Sequence, residues 1–230
     1  MNSLKKTARL AGLLYLIWVI TGVYGIFFVS SQTVVQGNAV ATANKIIANE
    51  FIFKTGIIND IISNTIWVFI VLILYRLFKQ VNKRQAKLLV ALVIVQIPVF
   101  FFMEALNITS LMIFKGEILK TFELSQRQDL AMLFLKISDN GTIVLETFWG
   151  LWLFPFGQLV YKSEFIPRIF GVFLIFNGIA YIIHSFSILL FPDYQAIVWQ
   201  FAIPFWVLGE ISIMLWLLIK GVRTQQVELL

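Results

Sequence analysis

The sequence contains no cysteine. Disulfides, thiolate metal sites, cysteine nucleophiles, dithiol relays and a lipid-modified cysteine anchor are therefore excluded. It contains one histidine, His184, which rules out bis-histidine haem ligation within a single chain. A zinc hydrolase takes three protein ligands, so any such site here would be carboxylate-rich and unusual, and no HExxH run is present. Ser185 and Ser187 neighbour His184, but no GxSxG elbow marks a serine hydrolase. No catalytic residue, metal ligand or cofactor is assigned from the sequence.

Charge is scarce as well. Only 13% of the 230 residues are charged, while 60% are hydrophobic. Soluble domains are about half apolar and a quarter charged, so this balance belongs to a polytopic membrane protein. The 23 Phe and seven Trp fit apolar helices with interfacial aromatic belts. The first 30 residues resemble a signal peptide, with Lys5, Lys6 and Arg9 ahead of an apolar run. That run reaches about 20 residues, beyond the usual 7–15, and is expected to be an uncleaved first span, with cleavage after Ser31 the lesser alternative.

Six stretches are apolar and long enough to cross a bilayer: 10–29, 52–75, 88–112, 129–160, 168–191 and 196–219. The fourth is too long for one perpendicular crossing, so it is tilted, broken or begins outside the bilayer. Pro98, Pro155 and Pro204 fall within spans, where neighbouring helices re-satisfy the backbone groups a proline frees. The expected fold is all-α, a six-helix transmembrane bundle forming one integral membrane domain over residues 1–230.

Twelve of the 18 basic residues fall on one side of this arrangement, before span one, between spans two and three, between four and five, and after six. Glu164 and Glu228 are the acids there. The positive-inside rule makes that side cytoplasmic and puts both termini inside, as in a bacterial inner membrane. Topology thus accounts for the net charge of +6, and nucleic acid is not an expected partner. Membrane lipids are, with a small-molecule or lipid ligand and a homo-oligomer left open. On the outer side, Asn38 is placed to cap a short amphipathic helix along the interface. The stretch 115–129 mixes charges of both signs and is expected to be solvated. "RLAGLL" in span one and "RIFGVF" in span five hint at a duplicated hairpin or a chance match.

The run "FWGLWLFPFGQLVYKSEFIPRIFGVFLIFNGIAYIIHSF", with "ARLAGLLYLIWVITGVYG", "LYRLFKQVN" and "GEISIMLWLLIKGV", closely resembles the multi-pass bacterial membrane family DUF4386. The resemblance extends from about Ala8 to Val222. It implies a membrane protein of several spans and brings no activity, substrate or catalytic residue with it. Members often carry an acid at the position of His184, which implies that the position favours a polar group over imidazole as such.

Five carboxylates fall inside predicted spans: Asp60, Glu104, Asp139, Glu146 and Glu210. A charged side chain at a helix centre costs about 2.5–3.5 kcal/mol on insertion scales. Five unpaired charges would cost on the order of 10–15 kcal/mol, as much as a whole domain's stability. They must be protonated, paired or facing a wet interior. Their spacing favours the interior. Lys136, Asp139 and Glu146 follow one stripe, as do Glu104 with Asn107, Asp60 with Asn64, and Asn177, Tyr181 and His184 at i, i+4, i+7. At 1.5 Å rise per residue, Asp60, Glu104 and His184 lie about 6 Å outward of their span midpoints. A cavity in the outer half of the bilayer is the expectation, lined by Asp60, Asn64, Glu104, Asn107, Lys136, Asp139, Glu146, Asn177, Tyr181, His184 and Glu210. Plainer roles stand beside it: a Lys136–Asp139 ion pair, asparagines as interhelical glue, Lys54 snorkelling to headgroups, and His184 as a packing residue.

Protonatable groups at mid-depth suit cation binding or proton coupling. The leading expectation is binding or transport of a small cationic or amphipathic, lipid-like ligand. A lipid-modifying enzyme and a non-catalytic sensor or accessory subunit are the rivals.

Overall fold

The computed structural model describes residues 3–35 and 37–223. Glu228, counted above among the acids of the basic side, lies outside the described residues. Every regular element among the described residues is helical. Six helices are long and apolar enough to cross a membrane. They are α1 (Ser3–Thr33), α3 (Glu50–Phe78), the pair α4 (Lys83–Ile94) and α5 (Ile97–Phe114) that together make one span, α6 (Leu124–Lys162), α7 (Arg168–Leu190) and α8 (Pro192–Ile219). The short helix α2 (Ala39–Ala48) follows α1.

Prolines mark two of the irregularities; the π-helical stretch Tyr24–Val29 within α1 has none. The break between α4 and α5, at Val95 and Gln96, falls just ahead of Pro98, whose missing N–H leaves the Ile94 carbonyl without its helical partner. In α8, Pro204 has no N–H for the Gln200 carbonyl, and a π-helical stretch follows at Val207–Ile211. α6 carries Pro155 yet stays helical over 39 residues. That continuity excludes the broken-helix alternative, and a length of about 58 Å against a hydrocarbon core of about 30 Å leaves a tilted or protruding helix.

The described chain gathers into two compact units. One holds the residues up to Ile17, Ile66–Gln96 and those from Ile143 onward. Its core is aromatic: Trp67 meets Trp152 edge to face at 5.6 Å, and Phe78 stacks on Phe165 at 5.8 Å. α6 and α7 run antiparallel through a short link and touch backbone to backbone. A Cβ on Gly150 would lie 2.5 Å from the Gly178 carbonyl oxygen, and one on Gly157 would lie 2.7 Å from that of Gly171. Any side chain at these positions would push the helices apart.

The other unit holds Trp18–Thr65 and Ile97–Thr142. Here α2 forms as its sequence predicts, with the Ala41 N–H donating to Asn38 Oδ1 at 2.9 Å. Its apolar face, Ala43 and Ile46, packs with Phe53, Ile57, Leu111, Phe114 and Leu135. Lys115 links Glu50 at 3.0 Å and Glu117 at 2.8 Å in the mixed-charge region.

Candidate functional site: a polar seam between α7 and α8

α7 presents Asn177, Tyr181 and His184 one turn apart, all facing α8 and its π-helical stretch. Gly209 permits the approach, since a Cβ there would lie 2.6 Å from the Asn177 Cβ. The next residue, Glu210, is buried with 8% of its surface exposed. Its carboxylate accepts three hydrogen bonds: from the Tyr15 hydroxyl at 2.6 Å, the Tyr181 hydroxyl at 3.2 Å and Asn177 Nδ2 at 3.4 Å. All three donors are neutral groups. A carboxylate so held is fixed in place while its charge, when present, meets no cation.

One turn further toward the C-terminal end of α7 lies a carboxylate–imidazole pair. His184 Nδ1 sits 2.7 Å from Glu146 Oε2 of α6, with side-chain exposures of 2% and 11%. The imidazole is walled by indoles. Trp206 meets it at right angles at 5.2 Å and Trp199 at 5.3 Å. Trp206 also stacks on Tyr181 at 4.9 Å, so the two acidic groups share one aromatic wall. Beside them, the Thr147 and Ser185 hydroxyls pair at 3.1 Å.

Three buried side-chain atoms of this seam lack a hydrogen-bond partner among the described residues: Asn177 Oδ1, His184 Nε2 and Trp206 Nε1. A buried polar atom left unpaired costs about 1–3 kcal/mol. Ser185 Oγ donates to the Ile143 carbonyl and Ser187 Oγ to that of His184. No group of three His, Cys, Asp or Glu among the described residues is disposed to hold a metal ion.

Beside the seam, α7 and the start of α8 enclose an open apolar groove of about 580 Å³. Ile183, Phe186, Leu190, Phe191, Ile197 and Val198 line much of it, and no carboxylate does.

The remaining predicted site residues belong to the other unit. Asn59 Nδ2 donates to Asp60 Oδ1 and to the Thr21 carbonyl, each at 3.0 Å, and Asn64 Nδ2 donates to the Asp60 carbonyl at 2.8 Å. Glu104 is buried and accepts from Asn107 Nδ2 at 3.1 Å. Asp60 and Glu104 lie close enough to interact electrostatically. Lys136 and Asp139 are exposed, and they make no ion pair among the described residues. They lie on the helix face that carries Glu146, but Glu146 alone meets α7.

The sequence reading missed Tyr15, Trp199 and Trp206. A signal for the two tryptophans was present. Trp199, Trp206 and Glu210 follow i, i+7, i+11, one face of α8. Tyr15 carried none, since a tyrosine in an apolar span reads as packing.

A family model described as a domain of unknown function, DUF4386, matches residues 10–221. The chain belongs to the DUF4386 family. Its seam residues, from Tyr15 to Glu210, fall inside the matched region. A protein of Archaeoglobus fulgidus described as uncharacterized is 33% identical over 94 residues, which is 41% of this DUF4386 chain and 52% of that relative. The chain thus spans about half the length of that archaeal relative. No solved structure matches it.

Proposed function

We propose that this integral membrane protein binds, and carries across the bilayer, a small amphipathic cation, with the α7–α8 seam as its recognition site. The observation that carries this reading is a charge mismatch. The seam buries two carboxylates, Glu146 and Glu210, and offers one basic group, His184. Glu210 is held by neutral donors alone, so a ligand cation would supply the missing charge, and the aromatic wall would favour it further. The unpaired Asn177 Oδ1 would accept from a ligand N–H. The neighbouring apolar groove suits the ligand's hydrocarbon part.

In this reading the protein sits in a bacterial cytoplasmic membrane with both termini inside, and the seam opens toward the outer half of the bilayer. The basic residues at the helix ends support that orientation.

The test uses the full chain in lipid nanodiscs with tetraphenylphosphonium as probe, read by quenching of tryptophan fluorescence. Wild type is expected to bind saturably, and E210Q about tenfold more weakly, a loss of about 1.4 kcal/mol. Equal binding by a folded E210Q would sink the proposal. Mass spectrometry of whatever co-purifies with the protein is the complementary measurement.

A further inference from the structure

His184 is the chain's one imidazole, and both of its nitrogens are accounted for in an uncommon way. Nδ1 faces Glu146 Oε2 at 2.7 Å. Nε2 is buried and has no hydrogen-bond partner among the described residues. An unpaired Nε2 is unfavourable for either form of the ring, as a bare lone pair in the imidazole or as an N–H without an acceptor in the imidazolium. An imidazolium donates its Nδ1–H to the carboxylate, with Trp206 perpendicular to the ring at 5.2 Å and Trp199 tilted to it at 5.3 Å. Glu146 carries the compensating charge, so the pair as a whole is neutral.

We propose that the Glu146–His184 pair is a proton-binding site, exchanging one proton with water as part of the protein's working cycle. On leaving, the proton passes from the imidazolium to water, and the pair goes from neutral to singly negative. The titratable groups that share the surroundings are Tyr181 on α7, Glu210 on α8 and Tyr15 on α1. Tyr181 donates to Glu210 and shares the Trp206 ring with His184. Glu146 is the less enclosed partner, with side-chain exposure of 11% against 2% for His184. The inference rests on geometry and stands apart from the cation-binding proposal, although loss of the proton would open the pair to a cation.

A single histidine makes the experiment clean. The full chain, carrying an affinity tag without histidine, is labelled with ¹⁵N-histidine and reconstituted in nanodiscs, and its two ring nitrogens are followed by NMR from about pH 4 to pH 9, the range spanning ordinary carboxylate and imidazole titration. Both nitrogens are expected to shift together through one transition. In E146Q that transition is displaced by about one pH unit or more, because the facing carboxylate is gone. Tryptophan fluorescence follows the same transition, and H184Q abolishes it. Ring shifts constant over the whole range in wild type would overturn the proposal, and so would a transition identical in E146Q. Should E146Q fail to fold, W206F serves in its place: removal of one indole wall must move the transition, and an unmoved curve counts against the site. A His184 transition without tetraphenylphosphonium binding supports the proton site and defeats the cation reading alone.

Discussion

Tyr15 and Glu210 stand 195 residues apart in the chain and share a 2.6 Å hydrogen bond in the interior. The bond joins the first span to the last and ends a network that also takes in Asn177 and Tyr181. Removing the hydroxyl with Y15F is expected to cost about 1–2 kcal/mol, the worth of a bond to a carboxylate less the partial compensation found in membranes. E210A strands three donors and is expected to cost more, about 2–4 kcal/mol. Denaturant unfolding in detergent, followed by circular dichroism, checks both. A Y15F protein as stable as wild type would show that the bond contributes nothing.

The backbone contacts of α6 and α7 predict a contrast between glycines. Gly178→Ala places a methyl 2.7 Å from the Gly150 carbonyl oxygen, and overpacking of this kind costs about 1–3 kcal/mol. Gly22→Ala meets nothing within 4 Å and should stabilise α1 by about 0.5–1 kcal/mol through helix propensity. Thermal midpoints of the two variants should move in opposite directions.

Asn38 holds the first turn of α2 through its side chain. Asn38→Ala should cost about 1 kcal/mol, and Asn38→Ser much less. Hydrogen exchange at Ala41 locates the effect, which should stay within α2 and its packing partners.

Lys115 bridges Glu117 and Glu50, and these hydrogen bonds raise its pKa above the ordinary 10.5. A lysine whose pKa rises on folding stabilises the fold fully below its unfolded value and loses that contribution as pH climbs through the folded one. K115M should therefore be less stable than wild type at neutral pH. The difference should shrink as salt is added, because the network is solvent-exposed, and vanish well above pH 10.5. A gap that persists in alkali would assign it to packing of the lysine stem.

How much was legible beforehand depends on the physics behind each feature. The six spans were readable because the bilayer demands about 20 apolar residues per helix and punishes charge. α2 was readable because a cap and a helical period are local. The stripe of Asn177, Tyr181 and His184 was readable for the same reason, since helical geometry alone puts the three on one side.

Lys136, Asp139 and Glu146 mark where that reasoning stopped. They share a face of an ideal helix, yet two are exposed and one is buried against α7, because a face acquires its meaning from what packs on it. The choice of Tyr15 as Glu210's partner, the pairing of Glu146 with His184, and the π-helical turn that brings Glu210 inward are of the same kind. From the sequence alone came the membrane, the number of crossings and the cost of the buried acids, all set by short-range periodicity and transfer energy. Only the tertiary structure decided which distant groups meet those acids, since hydrogen bonds between helices depend on rotations and approaches that no single helix specifies.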